Sequence, residues 1–275
     1  MHCENLTMPP TNLITPAELA SRLDDPEMLI LDCRFDLAQP DWGRAQYQTS
    51  HIPGAFYLDL NRDLSGPVGV QGGRHPLPDV STFTARLNDM GLTPTTLVIA
   101  YDQGRLAYAA RLWWLLRYLG HPRVALVAGG WDAYRQGGYP ISDSLPTPRP
   151  GNFIPNVQNQ YLASREEVIA AQDNPAILLV DAREAPRYRG EWEPIDPVSG
   201  HIPGAVNLPW LELLPPQPYA QRWQAIHQAA QEVICYCGSG VTACVNLLTL
   251  EWAGYPPGRL YVGGWSDWCR TVAGV

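Results

Sequence analysis

Ile234-Cys235-Tyr236-Cys237-Gly238-Ser239-Gly240-Val241-Thr242-Ala243-Cys244 decides how this chain is read. Gln231 to Tyr236 reads as a short buried strand, and Val241 through Trp252 as a helix with an apolar stripe. Between them lies a tight loop whose glycines, Gly238 and Gly240, permit positive φ and close backbone approach. A thiol at that point sits where a strand ends and a helix begins. Main-chain N–H groups and the helix dipole then converge on one sulfur. Such a setting lowers a cysteine pKa from about 8.5 toward neutrality, and the thiolate is the nucleophile. Burial as a structural residue is the ordinary fate of cysteine and suits Cys235 in the strand and Cys244 in the helix. Cys237 differs because Gly-Ser-Gly follows it at once. No second Cys/His cluster is present to complete four ligands, so no metal is expected.

Working outward, the chain reads as two copies of one unit. Thr15-Pro16-Ala17-Glu18 carries a capping box with proline at the first helical position, and Ser164 with Glu167 repeats the box. Asp32 ends a buried strand 17 positions after Thr15, and Asp181 ends another 17 positions after Ser164. His51-Ile52-Pro53-Gly54-Ala55 recurs as His201-Ile202-Pro203-Gly204-Ala205, Val98-Ile99-Ala100-Tyr101 as Val233-Ile234-Cys235-Tyr236, and Gly129-Gly130-Trp131 as Gly263-Gly264-Trp265. Landmarks repeated once in the same order mark a duplication. Strands alternating with helices predict an α/β fold, each copy a parallel sheet with helices on both faces. Reactive groups then belong at the carboxyl ends of strands, where Cys237 falls. The proline-rich stretch after Ile141 predicts domains at 1–142 and 161–275 joined by a linker over 143–160.

Aligning Tyr101 with Tyr236 sets Asp102 opposite Cys237. A carboxylate cannot carry a sulfane sulfur, so the first copy is expected to be catalytically silent, and the site to lie in a pocket between the halves. His51 and His201 occur in both copies, which points to a fold role. The tryptophans read first as core and interface residues, with Trp192, Trp265 and Trp268 as candidates for the pocket wall.

Net charge is −8, which argues against a broad nucleic-acid surface; an anionic substrate needs a local positive pocket against that background. No apolar run is long enough to span a membrane. Met1-His2-Cys3-Glu4-Asn5 lacks the basic start and apolar core of a secretory signal, and six irregularly spaced cysteines do not form a disulfide framework. The expectation is a protein of the reducing cytoplasm, a monomer, without nucleic-acid or membrane partners.

The loop Cys237-Gly-Ser-Gly-Val-Thr-Ala, with the repeat around it, resembles the rhodanese-like sulfurtransferases, and the loop is close to that of their 3-mercaptopyruvate branch. Thiosulfate-specific members carry basic residues in that loop, which this chain lacks. The resemblance implies tandem rhodanese-like domains with an inactive first copy and a Cys237 persulfide. It implies a small anionic sulfur donor held by Arg187 and the loop residues Gly238, Gly240, Val241 and Thr242, and a thiol, cyanide or thioredoxin-like acceptor. Arg183 is a further candidate for the donor, although its position favours pairing with neighbouring acids. A second donor-binding arginine usually stands nine residues beyond the first; here that position is Asp196, a departure that counts against 3-mercaptopyruvate and keeps thiosulfate as the alternative donor. Asp59, His75 and Ser239 match an aspartate, a histidine and a serine that act together on the substrate. Arg74 is a further anion contact. No metal or organic cofactor is implied.

These observations predict transfer of sulfur from 3-mercaptopyruvate through Cys237, with thiosulfate as the alternative donor. A non-catalytic sulfur carrier or regulatory module is a rival. A cysteine phosphatase is disfavoured because its phosphate-clamping arginine, six positions after the nucleophile, is replaced by Ala243.

Overall fold

The structure is a computed structural model that describes residues 12–227 and 230–272, residues 271 and 272 by their backbone. Reading of the first eleven residues, Cys3 included, lies outside the described residues.

Two parallel sheets organise the chain. The first takes β1 (Leu13–Ile14), β2 (Met28–Asp32), β3 (Phe56–Tyr57), β4 (Leu97–Tyr101) and β5 (Val124–Val127) in the order β1-β5-β4-β2-β3. The second takes β6 (Ile177–Asp181), β7 (Val206–Asn207), β8 (Glu232–Tyr236) and β9 (Arg259–Leu260) in the order β7-β6-β8-β9. All pairings are parallel, and the registers match: Asp32 lies opposite Tyr101, and Asp181 opposite Tyr236. The predicted duplication is therefore a structural one. Its one topological difference is at the edge, where the second copy has only an isolated bridge, Leu162 to Leu260, in place of β1.

Successive strand side chains point to opposite faces, and both faces are covered. Met28, Ile30, Ile99 and Tyr101 pack with Leu19 of α1 (Pro16–Ala20) and with Trp131 and Tyr134 of α5 (Gly130–Gln136). Leu29, Leu31, Val98 and Ala100 face α3 (Val80–Asp89) and α4 (Ala107–Tyr118). In the second copy Val168 of α6 (Arg165–Ala171) and Trp265 and Trp268 of α10 (Gly264–Val272) cover one face. The opposite face joins α8 (Tyr219–His227) and α9 (Ala243–Trp252) to the first copy's α4 in a single apolar cluster. The two copies share one core through α4 and α9. Both capping boxes form as expected, on Thr15 with Glu18 and on Ser164 with Glu167.

The repeated motifs have structural tasks. His51 stacks on Tyr47 of α2 (Trp42–Thr49) at 4.1 Å and hydrogen-bonds its carbonyl; His201 does the same on Tyr188 of α7 (Ala185–Tyr188) at 4.0 Å. The Gly-Gly-Trp motif grips the loop after the central strand. Trp131 N–H donates to the Asp102 carbonyl and Trp265 N–H to the Cys237 carbonyl, each at 2.8 Å.

The proline-rich connection is strapped to the first copy. Asn152 and Asn156 amides donate to the Leu92 and Leu119 carbonyls, and Phe153 is buried. Proline fixes φ but does not prevent an extended chain from pairing with exposed carbonyls.

Candidate active site

Strand β8 ends at Tyr236, so Cys237 stands at the carboxyl edge of the second sheet. The helix starts later than the sequence suggests, at Ala243, because the chain turns through 238–242 first. Gly240 makes that turn with φ 73°, and a Cβ there would lie 2.5 Å from the Val262 carbonyl oxygen. Cys237 is almost fully covered yet lines a cavity of about 750 Å³ built from both copies. The pocket is between the halves, as expected. Gly238, Ser239, Val241 and Thr242 also line it, whereas Gly240 is not among its lining residues. The aromatic wall comes from Phe35, Trp42, Tyr108 and Trp210. Trp265 and Trp268 are buried structural residues, and Trp192 is exposed on the surface. Sequence spacing carried no signal for the true wall, because its members come from distant loops.

Cys235 and Cys244 are structural. Burial pushes the Cys235 thiol well up, and Cys244 is pushed up to about 12 by burial. Cys244 donates to the Gly240 carbonyl at 3.4 Å.

The corresponding loop of the first copy shows what such a turn does with an anion. The Asp102 carboxylate is fully enclosed and accepts from the amides of Gly104, Arg105, Leu106, Tyr108 and Ala109 at 2.9–3.4 Å. Burial pushes its carboxyl up against the pull of those amides.

Arg183 lines the cavity, but its guanidinium is engaged by neighbouring acids. It forms a fully buried pair with Asp181, with nitrogen–oxygen distances down to 2.6 Å, and also contacts Glu193. Arg34 pairs with Asp32 identically in the silent copy. A pair present in both copies serves the fold. Arg187, on the short helix α7, reaches the cavity, but its Nε and Nη2 donate to Glu193 at 2.7–3.1 Å. Burial pushes Glu193 up, yet the hydrogen bonds and charge of Arg187 outweigh it, so the carboxyl sits below its ordinary range.

His75 crosses the interface. Its Nδ1 lies 2.7 Å from Ser239 Oγ, although 164 residues separate them in sequence. Burial, then the charges of Arg111 and Arg74, lower His75 to about 4, so the ring is neutral at pH 7. Asp59 does not complete a triad here. Its Oδ1 accepts from the Asn61 and Arg62 amides, and among the described residues it makes no hydrogen bond to His75. Arg74 ion-pairs with Asp196, whose other oxygen lies 3.6 Å from Arg187. A Cβ at Gly238 would sit 2.8 Å from Arg74 Nη2 and 3.6 Å from Arg187 Nη2. Two guanidiniums therefore overhang the loop beside Cys237.

Comparison with known proteins agrees with this architecture. The rhodanese-like domain model matches residues 15–136 and again 164–271. The chain belongs to the rhodanese-like family. It is 44% identical to a probable 3-mercaptopyruvate sulfurtransferase of Pseudomonas aeruginosa, over 95% of this chain and 96% of that one. It is 36% identical to a putative thiosulfate sulfurtransferase of Mycobacterium tuberculosis, over 93% of each. Among solved structures, a 3-mercaptopyruvate sulfurtransferase from Leishmania major superposes with a TM-score of 0.83 at 29% identity, covering 97% of this chain and 76% of that one. As a rhodanese-like enzyme the chain is a sulfurtransferase. Among its described residues no group of three or more His, Cys, Asp or Glu is placed to hold a metal, and no helix is long and apolar enough to cross a membrane.

Proposed function

We propose that this rhodanese-like enzyme moves sulfur from 3-mercaptopyruvate to a thiol or cyanide through a persulfide on Cys237. The supporting observation is the placement of Cys237 at the carboxyl end of the central strand, facing a cavity overhung by Arg74 and Arg187. The donor carboxylate lies against those guanidiniums. The Cys237 thiolate attacks the donor sulfur, the carbon–sulfur bond breaks, and its electron pair leaves as the enolate of pyruvate. The proton of the donor thiol ends on the enolate carbon, relayed by Ser239 and neutral His75, giving pyruvate and the Cys237 persulfide anion. An acceptor thiolate or cyanide then takes the outer sulfur, and Cys237 departs as thiolate. In the first copy the amides of Gly104, Arg105, Leu106 and Tyr108 hold the Asp102 carboxylate; around Cys237 the loop turns one residue earlier, at Gly240 rather than at the Leu106 position, and the persulfide anion would draw its amides inward.

Local charge favours a monoanionic donor. Arg74, Arg183 and Arg187 are matched by Asp181, Glu193 and Asp196. With Arg105 set against Asp36, Asp102, Asp132 and Glu184 lining the same cavity, the site carries no excess of positive charge and accepts one carboxylate more readily than the two charges of thiosulfate. Asp196 thus supports mercaptopyruvate by neutralising Arg74.

Parallel assays with 3-mercaptopyruvate and thiosulfate, reading thiocyanate, test the donor. Mercaptopyruvate should give the higher kcat/KM. Cys237→Ser should abolish turnover with both, and substantial residual activity in that variant refutes the nucleophile.

A further inference from the structure

Arg111 is the fully buried cation that the sulfur-transfer chemistry above leaves without a task. It lies on α4 of the silent copy and reaches across the interface into the catalytic loop. Its Nη1 donates to the Gly240 carbonyl at 3.0 Å. Its Nη2 faces the carbonyls of Leu64, His75 and Pro76 at 3.2–3.4 Å. His75 and Pro76 belong to the segment that presents Arg74 and His75 to the cavity. One guanidinium therefore fastens the catalytic loop to the silent-copy segment that meets it.

Among the described residues its charge has no carboxylate partner. Four main-chain carbonyls accept from it, the Cys244 side chain is in hydrogen-bonding contact, and its Cζ lies 6.0 Å from the centre of the Trp114 ring, while Nε has no partner although it is fully enclosed. Isolated buried charges are strongly unfavourable unless something compensates them. Burial pushes the guanidinium down, and the groups that push it back are the Cys244 and Cys237 thiols. Arginine does not escape by losing its proton. Cys237 stands three residues before the Gly240 carbonyl that Arg111 grips, and it is the thiol on that loop that faces the cavity.

We propose that Arg111 is a positioning residue for sulfur transfer, holding the catalytic loop by its Gly240 carbonyl and supplying the fixed positive charge against which Cys237 stands as thiolate and then as persulfide. This rests on Cys237 being the nucleophile. It assigns the silent copy an electrostatic part in the reaction.

Other groups also face Cys237. Arg74 and Arg187 overhang the loop with Glu193 and Asp196 paired to them, and His75 is bonded to Ser239. Across the cavity stand Asp36, Asp102, Arg105 and Asp132, with Arg183 and Glu184 on the second copy's side. Cys235 and Cys244 lie behind the loop. Arg111 differs from the other cations in being out of water and uncompensated by acid, so its field is the least screened.

The test compares wild type, Arg111→Gln and Arg111→Lys in the full chain. Iodoacetamide labelling of Cys237 is followed by mass spectrometry across pH, alongside donor kcat and KM. Arg111→Gln should move the labelling midpoint up by about one pH unit, roughly a tenfold loss of thiolate below it. Its kcat should fall at least about tenfold with little change in KM. Arg111→Lys keeps the charge, so its midpoint should stay within a few tenths of a unit of wild type. A folded Arg111→Gln with an unmoved midpoint overturns the proposal. If Arg111→Gln does not fold, Arg111→Met is read in its place: a midpoint raised by about one unit supports the role of charge, and an unmoved one refutes it. Turnover retained in Cys237→Ser removes the nucleophile and the proposal with it. Turnover lost there, with an unmoved Arg111→Gln midpoint, refutes Arg111 alone.

Discussion

Neutral His75, 2.7 Å from Ser239, makes the interface sensitive to acid. Its folded value of about 4 lies below the ordinary 6.5. Between those values the unfolded chain binds the extra proton and the folded one does not. The contribution is therefore intact above about pH 6.5 and is lost as pH falls toward 4, reaching about 2 kcal/mol at pH 5. His75→Gln keeps a hydrogen-bonding group without this titration. Thermal unfolding at pH 7 and pH 5 should show a smaller acid loss in the variant than in wild type; equal losses would contradict the assignment. Asp196→Asn should leave Arg74 uncompensated. The ratio of kcat/KM for thiosulfate to that for 3-mercaptopyruvate should then rise about fivefold, equivalent to about 1 kcal/mol, as for a partly solvated pair. The donor-binding reading of Arg183 was a matter of reach: the sequence shows an arginine near the site, but only the fold shows its guanidinium closed on Asp181.

At the scale of elements, the loop between β8 and α9 depends on Gly240. Alanine there meets both the cost of a left-handed φ, about 1–2 kcal/mol, and a Cβ 2.5 Å from the Val262 carbonyl. Gly240→Ala should lower the melting temperature by several degrees and slow turnover more than tenfold. A variant with wild-type turnover would show that the loop geometry is not required. The strands, the capping boxes and the repeat were legible because each is local: period, cap and motif lie within a few residues. The start of α9 was not legible, since Val241 and Thr242 are compatible with a helix and only the turn held by Trp265 and Ser266 amides delays it.

The whole molecule joins two copies through a shared core, with Arg117 of α4 ion-paired to Glu251 of α9. Residues 161–275 produced alone would lack Arg74, His75 and Arg111 and expose the α9 face. Such a fragment should bind hydrophobic dye and lose donor turnover, measured against the full chain at equal concentration; full activity would show that the silent copy is dispensable.

By itself the sequence determined the duplication and the parallel sheets, and it singled out Cys237 as the candidate nucleophile with Asp102 in its place in the first copy. Each follows from short-range patterns of apolar period, glycine and one residue exchange, Asp102 for Cys237. Only the tertiary structure decided which charges the thiol meets. His75 reaches Ser239, Arg74 meets Asp196, and Arg111 touches Gly240 across separations of more than a hundred residues. Side-chain chemistry states what a group is able to do; the packing of α4 on α9 brings the groups within reach of one another and removes the water that would screen them.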